Sequence, residues 1–509
     1  MKIAIVGAGL AGLSAALTLA EKGVASLLIS ALPSERAQSV MAEGGINAAL
    51  NTKGEDDSPQ QHYADTLKAA AGLADPQAVA GLTQAAPQLV QRLADLGVQF
   101  NRQADGELDL RNFGGQKKKR TAFAKSDTGK QLMTALIDAV RRAEEKGLVT
   151  RFPHHEFVTL TLMDSACTGL IVRDTFTNEK LSLSADGVII ATGGLHGLFG
   201  HTTGSLANTG VVTAELFRLG LPIVNGEFIQ YHPTTVAASG KRMLISEAAR
   251  GEGGRLWTEK EGRPWYFMEE KYPELGNLMP RDVTSREIWK YGQRQPVYLD
   301  LTGLPKAVLD HKLAGLVADC QLYLNLDIHR QPIPVEPGIH YFMGGLGVDR
   351  NHRLPLAHLY AAGECAAIYH GANRLGGNSL LGAVYGGHVA ALSALADGEN
   401  PYGGRGLAAD KGEKATSREE LLRLRYILDR SLGVVREERS LVQGLAILAA
   451  FSGNLPRLGK ALLLLALARK ESRGAHYRSD YPNRDDAHFQ KNSVAIFDGT
   501  NIQTSYQDI

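Results

Sequence analysis

The chain has 509 residues, too many for a single growing hydrophobic core, so roughly two to four domains are expected. With 44% hydrophobic and 21% charged residues, and 56 glycines against 19 prolines, it reads as a globular protein rich in tight α/β turns, which excludes a disordered or fibrous chain. A formal net charge of +1 excludes the global field of a nucleic-acid or anionic-membrane binder and leaves one local basic run, Lys117-Lys118-Lys119-Arg120, read as a solvated loop.

The opening MKIAIVGAGLAGLSAALTLAEKG reads as a buried strand, a glycine turn and an alanine-rich helix ending near Gly23, followed by a strand over ASLLIS. Gly7, Gly9 and Gly12 fit G-x-G-x-x-G: a turn, a close backbone approach to pyrophosphate, and helix-to-strand packing with a helix N-terminus facing the phosphates. The acidic residue often found at the end of the second strand is replaced by Ser30, whose hydroxyl can still bond a ribose. ADGVIIATGG (185–194) is a second buried strand, ending in Ala191, Thr192, Gly193 and Gly194, small enough to let a cofactor come close. Together the two signals indicate FAD more than NAD.

From about residue 226 charged and aromatic residues replace the alternating βα signals, as expected of an inserted cap, and glycine-rich strand signals return over 338–349 and 359–387. A polar linker follows, then leucines at helical spacing over 418–470 and a polar, loop-rich tail. The expected fold class is α/β: a Rossmann-like FAD-binding domain (1–225 and 338–400) interrupted by an α+β capping domain (226–337), a linker (401–417) and a C-terminal helical domain with a polar tail (418–509). Cys167, Cys320 and Cys365 are too scattered for a disulfide framework or a metal cluster, so no metal site is expected. The N-terminus has no leader pattern, and the apolar run ALLLLALA (461–468) is far short of the ~20 residues of a membrane span. A cytoplasmic protein is expected, reaching a membrane only through a partner.

Four spots combine charge or imidazole with glycine: Gln230 to Thr234; Ser246, Glu247 and Arg250 in ISEAARGEGG; Arg281 in MPRDVTSRE; and His340 with Arg374. Singly each has an ordinary reading, since a Pro-Arg-Asp triplet often just starts a helix. With AEGGINAAL, FGGQKKKRTAFA, ATGG, HYFMGG, GECAAIYHGANRLGGNSL and ESRGAHYRSDYPNRDD, in order over nearly the whole chain, they resemble the flavoprotein family of succinate dehydrogenase, fumarate reductase and L-aspartate oxidase. The texture of NTKGEDDSP, WYFMEEKYPELGN and VYLDL is most similar to the succinate dehydrogenase and fumarate reductase flavoproteins of the Gram-positive type.

The resemblance implies FAD and a C4 dicarboxylate: fumarate or succinate, with L-aspartate as the alternative. It implies that His232 and Ser246 hold one carboxylate and His340 and Arg374 the other, that Arg281 moves the proton, and that Glu247 and Arg250 supply it. Glu364 resembles the acid that binds the ribityl chain, and the Ser379 and Leu380 amides resemble donors to the N1/C2 edge of the flavin. Ala42, Glu43, Gly44 and Gly45 are expected to pass along the isoalloxazine ring, glycine being there for close approach, with Gly45 and Phe113 as pocket walls.

The chain departs from the family in three places. Asn208-Thr209-Gly210 is followed by Val211 where an Asp is common, and the His-Ser and His-Ala fingerprint of L-aspartate oxidase is missing from 115–128. Gln38 stands at the position of the histidine that membrane-bound relatives bond to the flavin, so non-covalent FAD is expected. Without that bond the flavin potential should be lower, favouring fumarate reduction over succinate oxidation. An iron–sulfur electron-transfer subunit is the implied partner.

Overall fold

Lys2–Val6 (β1) is one exposed lysine followed by four buried apolar residues, the pattern of a strand covered on both faces, and in the computed structural model it lies at the centre of a parallel sheet. The structure describes residues 1–238, 241–409 and 416–509. A glycine turn leads into α1 (Leu10–Glu21), and β2 (Ala25–Ser30) returns parallel to β1. α2 (Thr128–Glu145) then feeds β3 (Val149–Pro153) onto the outer side of β2, while β4 (Gly187–Ile190) pairs with β1 on its other side.

An antiparallel layer is inserted here, holding β5 (Ile229–Ala238), α3 (Arg281–Gly292) and β6 (Ile333–Phe342). Its six strands run in the order 241–244, β5, β6, 297–300, 255–260, 263–265, over a core of its own that includes Ile245, Leu256, Phe267 and Leu299. The chain rejoins the parallel sheet at β7 (Leu359–Ala361), giving the order β7-β4-β1-β2-β3. α4 (Asn378–Asp397) then packs on α1 so tightly that a Cβ on Gly387 would fall 2.1 Å from the Ala11 carbonyl oxygen. α4, rather than the run 461–468, is the described helix long and apolar enough to cross a membrane by composition, yet its place is in the core beside α1.

The C-terminal leucines form α5 (Arg418–Ser431), α6 (Glu438–Leu448) and α7 (Asn454–Ala468). They do not close on themselves: Leu424, Leu428, Leu458 and Leu462 share one core with Val188 and Ile190 of β4 and with Phe217. The tail also departs from the loop-rich expectation. β8 (Asn492–Phe497) and β9 (Ile502–Gln507) form a hairpin, and β8 pairs with Ile223–Val224 because its Ser493, Val494 and Ala495 are buried there. Within the expected linker, Leu407–Ala408 joins 161–162 as an edge strand, and residues 410–415 lie outside the described residues. The basic run is only partly solvated, since Arg120 is fully buried between Asp57 and Asp65.

Candidate active site

A cavity of about 920 Å³ opens at the C-terminal ends of the parallel strands, at the upper end of the usual range for small-molecule sites. Gly7 and Gly9 line it, and so does Ser30 at the end of β2. Gly7 has φ +114° and its Cβ would lie 2.2 Å from the Ala191 carbonyl oxygen, while a Cβ on Gly12 would lie 1.8 Å from the Gly7 carbonyl oxygen. The N-cap of α1 is Gly9, which offers no side-chain cap; the Leu10 N–H donates to the Ser39 hydroxyl (3.3 Å), and the N–H groups that follow it in the first turn are left to meet an anion from the cavity. Ala191, Thr192 and Gly193 form part of one wall.

A second helix N-terminus faces the same cavity. Ser379 and Leu380, in the first turn of α4, line it, and their helix also lacks a side-chain cap. Gly377, the N-cap, sits at φ +82° against Asn47, which bonds Asn378 (2.7 Å) and the Gly376 carbonyl (2.7 Å) and so fixes the start of the helix. Glu364 lines the cavity with one oxygen held by the Phe342 N–H (3.0 Å) and His196 Nε2 (3.1 Å). A large cleft between two uncapped helix N-termini, with a glycine turn and an oriented carboxylate, fits a dinucleotide such as FAD.

Gln38 begins a short 3₁₀ turn over Gln38–Met41 and lines the cavity, as do Ala42 and Glu43. Burial, and after it the Asp319 carboxylate, push the Glu43 carboxyl up to about 8. Gly44 and Gly45 are not among the lining residues, and the reason they are glycine lies within the protein. A Cβ on Gly44 would sit 3.0 Å from the Phe113 ring, and one on Gly45, at φ +148°, would sit 2.5 Å from the Ala122 carbonyl oxygen. Phe113 is a buried ring against Gly44 and Gly376. Asn208 lines the cavity, whereas Val211 starts a helix and is half exposed.

The polar cluster lies beneath this cavity, where the antiparallel layer meets the loop before α4. His232 on β5 and His340 on β6 face each other with ring centroids 5.1 Å apart, and His340 also lines the cavity. His232 Nδ1 is held by Thr234 (3.1 Å to its carbonyl) and His340 Nδ1 by the Thr203 hydroxyl (2.8 Å), so both rings keep Nε2 for a ligand. Ser246, also buried, accepts weakly from the Ala248 N–H.

Arg281, at the first turn of α3, grips one oxygen of Glu247 with Nε (3.0 Å) and Nη2 (2.6 Å). The other oxygen of Glu247 accepts from Arg250 (3.1 Å) and from the Gly114 N–H (3.1 Å). Burial raises the Glu247 carboxyl, but the Arg281 and Arg250 guanidiniums outweigh it and hold the group at about 2. Burial, then the charge of Arg281, bring Arg374 down to about 9, and the same two causes keep both histidines well below their usual value, hence neutral. Arg374 stacks over Tyr341 at 4.4 Å, and its buried Nε has no partner.

Some residues that hold the site together carry no role in the sequence reading. Gln230 Oε1 accepts from Arg281 (3.1 Å) and from Arg374 (2.9 Å), while its amide donates to Asn373 and to the Arg374 carbonyl. A signal was present: Gln230, His232 and Thr234 alternate along one strand. Thr203 and His196 carried no such signal, because their partners lie more than a hundred residues away.

Residues 2–380 match the family of FAD binding domains, and residues 447–509 match the fumarate reductase flavoprotein C-terminal family. A succinate dehydrogenase flavoprotein subunit of Bacillus subtilis (strain 168) is 39% identical, over 97% of this chain and 93% of that protein. An L-aspartate oxidase of Mesorhizobium japonicum is 36% identical, over 95% of this chain and 92% of that protein. Among solved structures, a quinol–fumarate reductase with menaquinol molecules superposes with a TM-score of 0.89 at 27% identity, covering 100% of this chain and 98% of that chain.

Proposed function

The chain belongs to the flavoprotein family of succinate dehydrogenase, fumarate reductase and L-aspartate oxidase, and from that premise we propose that it interconverts fumarate and succinate, with fumarate reduction favoured. The observation that carries this reading is a charge balance. Arg281, Arg250 and Arg374 are tied into one buried network with a single carboxylate, Glu247, so two positive charges are left over. A C4 dicarboxylate dianion supplies two negative charges. An α-ammonium group would find no free acceptor in that network, because both oxygens of Glu247 are occupied.

In this reading Arg374 and His340 Nε2 hold one carboxylate while His232 Nε2 and Ser246 hold the other, each by hydrogen bonds in a water-poor site. FAD, when bound, supplies the two-electron donor and acceptor. Gly7, Gly9, Ser30, Ala191 to Gly193, Glu364 and the first turn of α4, all lining the cavity, would hold it, with Gly12 packing α1 against the glycine turn. Arg281 gives or takes the proton at the substrate carbon. Losing its proton also removes the larger of the two charges that hold Glu247 ionised, so the buried carboxyl is then driven to take up a proton, with Arg250 next in line.

Gln38 cannot supply a ring nitrogen to the flavin, which supports non-covalent FAD. The relatives named as flavoprotein subunits support an iron–sulfur partner that receives or delivers the electrons, at the inner face of a membrane the partner reaches. L-aspartate oxidase is the second reading, supported by the 36% identical relative of that name. An anaerobic titration separates the two: flavin reduced by dithionite should be reoxidised by fumarate, and succinate should bleach it slowly. Bleaching by L-aspartate alone, with no response to fumarate or succinate, sinks the first reading.

A further inference from the structure

Three consecutive carbonyls, those of Ala42, Glu43 and Gly44, are all held from one side. The Gly129 N–H donates to Ala42 O (2.6 Å), and the Thr128 hydroxyl donates to Glu43 O (3.3 Å). Arg111 Nη2 reaches Glu43 O (3.3 Å) and also donates to Gly44 O. A trans peptide sets its N–H opposite its C=O, and the described residues contain no cis peptide. The N–H groups of Glu43, Gly44 and Gly45 therefore point the other way, and no described residue accepts from them. Ala42 and Glu43 line the cavity, and Gly44 and Gly45 follow directly behind them in the chain.

Arg111 is an unusual residue to find there. It is buried, its guanidinium lies 4.2 Å from the Phe123 ring centroid and 5.5 Å from that of Phe113, its Nε has no partner, and none of its hydrogen bonds goes to a carboxylate. A buried guanidinium bonded only to carbonyls is a destabilising way to fill space, so packing alone does not account for it. We propose that Arg111, with Thr128, is a positioning residue for the flavin: anchoring the Glu43 and Gly44 carbonyls turns the N–H groups of residues 43–45 toward the bound ring, where they stabilise the electron density added on reduction.

The inference rests on the FAD reading of the cavity and not on which dicarboxylate is used. Its test is the flavin midpoint potential of the holoenzyme, measured by equilibration with a reference dye, with FAD content read from absorbance. Arg111→Met is expected to shift the oxidised-to-reduced ratio at fixed potential about tenfold toward oxidised flavin, or about 30 mV for a two-electron couple. Thr128→Val, which removes no charge but takes away both the donor to Glu43 O and the acceptor of the Ala124 N–H (3.1 Å), is expected to shift it the same way by about threefold, a smaller step for the loss of neutral hydrogen bonds.

A shift in Arg111→Met with none in Thr128→Val would assign the effect to charge alone and overturn the anchoring role. Bound FAD with neither variant shifted overturns it as well. Should Arg111→Met not fold, Thr128→Val decides. Wild-type protein unable to bind FAD would instead remove the cofactor reading on which the inference stands.

Discussion

One amide oxygen, that of Gln230, accepts from Arg281 at 3.1 Å and from Arg374 at 2.9 Å, so the proposed proton carrier and the proposed carboxylate clamp share a single anchor. Replacing it should affect both. Gln230→Met removes an acceptor from two buried guanidiniums, each such bond being worth about 1.5–3 kcal/mol. The KM for fumarate should rise about ten- to a hundredfold, with a parallel fall in kcat, in steady-state assays with a reduced dye. Gln230→Glu keeps the shape but cancels one of the two excess charges, and should also raise KM.

Arg281 is separable from the clamp. Arg281→Gln should lower kcat about 10²–10⁴-fold, the usual worth of a general acid. Binding of a non-reacting dicarboxylate, followed by perturbation of the flavin spectrum, should stay within about tenfold, since the two histidines and Arg374 remain. Lost binding with retained turnover would instead make Arg281 a clamp residue.

Glu247 gives a pH dependence of definite sign. Its folded value, about 2, lies below its ordinary value of 4.5, so its ionised form stabilises the fold above pH 4.5 and that contribution is lost as pH falls toward 2. At about 1.4 kcal/mol per pH unit the contribution is on the order of 3 kcal/mol. The gap in unfolding free energy between wild type and Glu247→Gln, from urea titrations, should be widest near neutral pH and narrow below 4.5.

Gly45→Ala tests why the glycine pair is there. At φ +148°, with the Ala122 carbonyl 2.5 Å from the new Cβ, alanine is strained by the protein itself. A loss of about 1–3 kcal/mol is expected, visible as a lower Tm in protein stripped of FAD as well as in holoenzyme. A Tm loss confined to the holoenzyme would return the constraint to the flavin.

Gln38, at the cavity wall, should leave the cofactor extractable. After acid precipitation the flavin is expected in the supernatant. Flavin absorbance retained in the washed pellet would contradict this.

The sequence by itself determined what depends on near neighbours. β1, the glycine turn and α1 are legible because a buried apolar run, a residue with φ +114° and an alanine-rich helix are local properties. The C-terminal helices are legible from leucine spacing, and the family from motifs that keep their order. What only the tertiary structure decided depends on partners distant in the chain. Arg120 reads as solvent-facing until Asp57 and Asp65 are brought beside it. The tail reads as loop until Ile223–Val224 offers β8 an edge to pair with. Gln230, between arginines 51 and 144 residues away, and Arg111, beneath carbonyls 67 and 68 residues away, take their roles from hydrogen bonds that no local pattern encodes. Backbone conformation and amphipathic periodicity are written in short windows, whereas a buried charge acquires its partner only when the chain folds back on itself.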